Sequence, residues 1–157
     1  MSDLLEIKNL SVSFRTPQGE VEAVRDVSFS LHPGEVLAIV GESGCGKSVQ
    51  CRSIMKLLPR NAWIKGGTIL ADGADITRCS QRDMERLRGR LFSMVLQDPM
   101  TALDPTMTVG AQIAEAVRIH QPRMDRAVVR RRVLELMELV GIDRPEDRYG
   151  RYPFDFS

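Results

Sequence analysis

The sequence predicts an α/β fold, and three observations carry that prediction. A short run that is almost wholly apolar, "EVLAIV" (residues 35–40), leads into a glycine-rich stretch, and a helical pattern starts at Lys47. A second such run, "LFSMVLQ" (91–97), lies further on. Runs of this kind suit buried strands of a mostly parallel sheet covered on both faces. From about Asp98 the apolar spacing changes to three and four residues, so a helical segment follows.

The elements can be taken in order. "LLEIKNLSVSFR" (4–15) alternates β-branched or aromatic residues with polar ones and reads as a strand. "TPQGE" is a turn by composition, "VEAVRDVSFSL" (21–31) a second strand or pair of strands, and "HPGE" another turn. "KSVQCRSIMKLL" (47–58) reads as a helix that stops before Pro59. "GGTILADGADIT" (66–77) reads as a strand and turn, and "QRDMERLRGR" as a short amphipathic helix. "TVGAQIAEAVRIH" puts Val109, Ile113 and Val117 on one stripe. "DRAVVRRRVLELMELVG" puts Val129, Val133, Leu136 and Val140 on another, with Gly141 as the stop.

Bulk properties exclude several classes. At 157 residues the chain has the length of one domain, able to bury roughly two-thirds of its unfolded surface. A net charge of +1 marks no broad basic face for nucleic acid. Arg130, Arg131 and Arg132 fan out around a helix axis and read as a solvated face. The N-terminus lacks the basic start and apolar core of a signal peptide, and "VLAIV" is far too short to cross a bilayer. Cys45, Cys51 and Cys79 are odd in number without paired spacing, and only His32 and His120 could assist them, which argues against disulfides or zinc. A cytoplasmic location follows.

"GESGCGKS" (41–48) fits G-x-x-x-x-G-K-[ST]. Gly41, Gly44 and Gly46 let the backbone wrap tightly and turn its N–H groups inward. The loop feeds a helix whose first N–H groups are unpaired and carry partial positive charge, a ready phosphate site. Glu42, Ser43, Cys45 and Val49 complete the backbone cradle; Lys47 is expected on the β- and γ-phosphates of ATP and Ser48 on Mg²⁺. The four fixed positions coincide by chance in roughly one chain of this size in a few hundred. The strand before and the helix after make chance a poor explanation. Cys45 beside Lys47 is either an activated thiol or a small filler where serine would serve.

"LQDPMTALDP" (96–105) resembles the Q-loop of ATP-binding cassette (ABC) proteins, above all peptide and nickel importer ATPases, with Ala102 and Asp104 as departures. "LLEIKNLSVSF" and "VEAVRDVSFSLHPGEVLAIVGESGCGKS" are similar to the start of that family, and "TVGAQIAEAVRIH" and "RRVLELMELVGI" to its helical subdomain. "YPFDFS" resembles the run-in to the signature motif, matching at Tyr152, Pro153, Phe156 and Ser157 and stopping before its two glycines.

The resemblance implies a P-loop NTPase (RecA-like) nucleotide-binding domain with an antiparallel β subdomain and a helical subdomain. Its ATP-binding core would span 1–97 and its helical part 98–157, both incomplete. It implies Gln97 as the residue contacting Mg²⁺ and the attacking water, and Phe14 as the aromatic on adenine, although burial of Phe14 in the core is an equal reading. The Walker B carboxylates and switch histidine have no counterpart, so ATP binding without turnover is expected of this chain alone. Implied partners are a second ABC ATPase subunit, identical or not, permease subunits docking on the segment 103–120, and indirectly an extracytoplasmic solute-binding protein. The implied place is the cytoplasmic face of the inner membrane. Alternatives are a soluble ABC ATPase of DNA or ribosome type, and a non-catalytic nucleotide-binding fragment.

Overall fold

Antiparallel pairing takes up the first strands. The computed structural model describes residues 3–98 and 102–156. It divides into two compact units, one running to Ser93 and one starting at Met94. The first unit holds β1 (Leu5–Thr16), β2 (Gly19–Leu31), α1 (Lys47–Ile54), β3 (Ala62–Ala71), β4 (Ala74–Asp75) and α2 (Gln81–Leu87). Its sheet has the order β2-β1-β3-β4, with every neighbouring pair antiparallel.

One face of that sheet forms the core, built on Ile7, Leu10, Val12, Val24 and Ile69, with Ile54 of α1 and Met84 of α2. Burying each large aliphatic side chain contributes about 1.5–3 kcal/mol. Strict alternation would send Ile7 and Leu10 to opposite faces. Irregularities in the β1–β2 register between them restore a common face. Asn9 and Asp26 both take φ 50 there, and the Asn9 amide nitrogen donates to Asp26 Oδ1 at 2.6 Å.

Helix α1 ends at Ile54, before the expected stop at Pro59, because Lys56 turns left-handed (φ 50). Its last carbonyls are taken by Arg88, whose Nε and Nη2 donate to Met55 O at 3.1 and 2.7 Å. A cation at this end also suits the helix dipole. Helix α2 is capped by Ser80, whose hydroxyl oxygen accepts from the Asp83 N–H at 3.2 Å.

The two runs expected to be buried strands are not in the sheet. Residues 35–40 pair with no strand among the described residues, and Val36 and Val40 are 94% and 87% exposed. In 91–97 only Phe92 makes a bridge, to Arg88, and Val95 is 95% exposed. A parallel strand depends on hydrogen-bonded neighbours for its backbone and on covering layers for its side chains. These two segments do not pair with each other, so neither condition is met.

The second unit packs α3 (Val109–His120) on α4 (Arg126–Leu139), followed by α5 (Pro145–Arg148) and a 3₁₀ turn (Pro153–Asp155). Ala114, Val129, Val133 and Met137 are its fully buried apolar residues, with Ile113, Val117, Ile142 and Tyr149 packed against them. On α4 the buried stripe therefore runs through Met137, while Val140, assigned to it from spacing, is 71% exposed beyond the helix end. The arginine triplet fans out as expected: Arg130 lies over the Tyr149 ring and Arg132 pairs with Glu135. Among the described residues no helix is long and apolar enough to cross a membrane.

Candidate functional site: the phosphate loop

The glycine-rich stretch leads straight into α1, with Gly46 as its N-cap residue at φ 97. Two constraints fix glycine there. The dihedral disfavours a side chain, and a Cβ would stand 2.5 Å from the carbonyl oxygen of Ala23 on β2. The loop is thus pressed against the sheet backbone, and Val24 of the core lies beside it.

The Lys47 side chain folds back over the loop. Its ammonium donates to the Gly41 and Glu42 carbonyls at 2.6 and 2.7 Å, and lies 3.4 Å from Cys45 Sγ. A cation is thereby held at the mouth of the helix. Gly41, Glu42, Ser43, Gly44, Cys45 and Ser48 are all exposed. Val49 packs its side chain on the core and leaves only its backbone for a ligand.

The starts of α3 and α1 contrast. In α3 all four leading N–H groups have acceptors: Val109 on Arg151 O, Gly110 on Tyr149 O, Ala111 on Thr108 Oγ1 and Gln112 on Thr108 O. In α1 only the fourth is satisfied, Gln50 on Gly46 O at 3.0 Å, and the cap offers no side-chain acceptor. Among the described residues the N–H groups of Lys47, Ser48 and Val49 meet no protein acceptor. Three donors and a dipole end stand at the start of α1, and an ammonium lies over the exposed loop that leads into it. That arrangement suits phosphate oxygens.

The other expected site residues belong to different elements. Phe14 is half-buried on β1, opposite Val21 and Ala62, and packs on the core. Gln97 is exposed and belongs to the second unit. Pro99, Met100 and Thr101 of the Q-loop-like stretch, and Ser157 at the end of "YPFDFS", lie outside the described residues. Within that ending, Tyr152 and Phe154 stack in parallel at 5.7 Å, and Pro153 is buried. A cleft of about 510 Å³ lined by Arg144, Asp147, Arg148, Arg151 and Asp155 is confined to the second unit and includes no phosphate-loop residue.

Sequence reading missed two residues. Arg88 closes the far end of α1, and nothing in an arginine-rich stretch singles it out. Gln112 holds the loop ahead of α3: its Oε1 accepts from Asp104 N at 2.9 Å, and its Nε2 donates to Asp104 O and Met107 O at 2.9 and 3.1 Å. An amide beside the apolar stripe of α3 was the available signal.

Comparison with known proteins agrees with this geometry. The chain is 50% identical over its whole length to the dipeptide transport ATP-binding protein DppD of Bacillus subtilis, covering 47% of that protein. It is 48% identical over 98% of its length to the oligopeptide transport ATP-binding protein OppD of the same organism, covering 43%. It thus spans less than half the length of these relatives. A solved dimeric structure of the ATP-binding cassette MJ0796, bound to ADP and Pi, superposes with a TM-score of 0.80 at 19% identity, over 98% of this chain and 63% of that one. The family model described as ABC transporter matches residues 24–157, and the chain belongs to that family.

Proposed function

We propose that this chain is the ATP-binding part of an ABC importer that takes up peptides or a related solute. The observation that carries the reading is the open start of α1, with three N–H donors that meet no protein acceptor among the described residues and the Lys47 ammonium over the exposed loop before it. The β- and γ-phosphates of ATP would take over Lys47 from the Gly41 and Glu42 carbonyls, and the free donors would bind phosphate oxygens. Mg²⁺ suits the residues present. Ser48 offers an exposed hydroxyl oxygen in the first turn, and no cluster of three His, Cys, Asp or Glu side chains among the described residues forms a site of its own. A hard cation held mainly by phosphate and water needs only one or two protein oxygens. Ser48 and the Gln97 side-chain carbonyl would supply them; the ion would neutralise charge on the phosphates.

The remaining roles follow the same reading. Gln97 would orient the attacking water, and Phe14 would stack on adenine. Among the described residues no acidic pair stands at a strand end to position that water further, so the reading has this chain bind ATP without turning it over by itself. The two Bacillus subtilis relatives are named for oligopeptide and dipeptide transport. They support a second ATPase subunit and permease subunits as partners, a solute-binding protein acting through the permease, and a place on the cytoplasmic face of the inner membrane. The core would span 1–97 and the helical part 98–157.

Titration with a fluorescent ATP analogue tests the reading. Wild type binds with magnesium present, and Lys47→Ala weakens binding at least tenfold. Equal affinity in the two proteins would overturn it.

A further inference from the structure

We propose that Gln112 is a positioning residue that links the loop ahead of α3, which follows Gln97 in the sequence, to the segment ending in Tyr152 to Phe156. The inference rests on the ATP-binding reading and extends it to how occupancy of the phosphate loop is passed on. One side chain makes all three of its hydrogen bonds to backbone groups of the loop ahead of α3, at Asp104 N, Asp104 O and Met107 O. That loop is stiff in its own right, since Asp104 Oδ1 accepts from Thr106 N at 2.8 Å and from Thr106 Oγ1 at 2.7 Å.

Gln112 sits in the first turn of α3, and the same turn is held from the other side. The Val109 and Gly110 N–H groups donate to Arg151 O and Tyr149 O at 2.9 and 3.0 Å. Gly110 lies so close that a Cβ there would stand 2.5 Å from the Tyr149 ring. From Tyr149 the chain runs directly into the 3₁₀ turn, whose start is locked by Tyr152 N donating to Asp155 Oδ2 at 3.0 Å. The path from Asp104 to Asp155 is therefore a continuous set of directional bonds through one helical turn. Interfaces of this kind move as a body and do not deform gradually. A displacement of the loop at Asp104 is carried by Gln112 to Tyr149 and beyond, and among the described residues no other side-chain hydrogen bond ties Asp104 or Met107 to α3.

Hydrogen exchange on the whole 157-residue chain, with and without magnesium-ATP, tests this. In wild type, nucleotide alters exchange both at 103–112 and at 149–156. In Gln112→Leu the change at 149–156 falls at least fivefold, while nucleotide affinity stays within twofold of wild type. If Gln112→Leu does not fold, Gln112→Glu decides, since it keeps the acceptor for Asp104 N and loses both donated bonds; the same loss is expected. A change at 149–156 that persists undiminished in the folded variant overturns the inference. So does a wild-type chain that binds nucleotide with no change at 149–156, and this leaves the ATP-binding reading intact. A wild type that binds no nucleotide overturns both.

Discussion

Replacing Gly46 by alanine tests how the phosphate loop is held. At φ 97 the residue lies outside the dihedrals an L side chain prefers, which costs about 1–2 kcal/mol. The new Cβ would also stand 2.5 Å from Ala23 O, well inside the 3.4 Å at which ordinary contact begins. That oxygen belongs to the backbone of β2 and has little room to retreat, so overpacking adds about 1–3 kcal/mol. Together these give about 2–5 kcal/mol, a fall in Tm of roughly 5–15 °C for a chain of this size. Gly44→Ala is the control. It has φ 82 but nothing within 4 Å of its added Cβ, so it carries only the conformational part, a fall of roughly 3–6 °C. Thermal melts followed by circular dichroism compare the two. Equal falls would refute the claim that the loop is pressed onto the sheet backbone. A Gly46→Ala protein that also binds the ATP analogue as wild type does would refute the claim that this contact shapes the site.

Three further outcomes are expected. Arg88→Met removes charged hydrogen bonds to Met55 O and Lys56 O, worth about 2 kcal/mol, and should lower the melting temperature by roughly 4–8 °C; an unchanged melt would show that the end of α1 needs no cap. Asp104 is held below its ordinary value of 3.8, first by the Thr106 hydroxyl and then by the Thr106 N–H. A lowered folded value means the stabilisation is present above 3.8 and lost as pH falls through the lowered value, so Thr106→Val should raise the Asp104 midpoint in an NMR titration. At Cys45, exposed and 3.4 Å from the Lys47 ammonium, a thiol reagent should block nucleotide binding and ATP should protect, whereas Cys45→Ser binds within twofold of wild type. Modification with full retention of binding would show that the thiol is only a filler.

Different physical constraints explain which features were legible in the sequence. The phosphate loop was readable because its demands are local: glycines for the tight backbone, a lysine and a hydroxyl at fixed offsets. The helices α2, α3 and α4 were readable for the same reason, through the amphipathic spacing along them, while the structure added the caps at Ser80, Thr108 and Asp125. Residues 35–40 and 91–97 show the limit. An apolar run states a preference for burial, but burial needs neighbours, and the described residues supply no strand to 35–40 and engage only Phe92 of 91–97 by a bridge and core packing.

By itself, then, the sequence determined the glycine-rich motif ahead of α1 and the resemblance that led to the family, since both reside in residue types at short spacing. Only the tertiary structure decided that Ile7 and Leu10 share a face, because a bulge changes the count of residues without changing their kind. It also decided that Ala23 O is the wall behind Gly46, that Arg88 closes α1, and that Gln112 grips the loop at Asp104. Arg88 and Ala23 act across many residues of chain, where no spacing rule reaches. At Gln112 the fold chose which backbone groups an ordinary amide would hold.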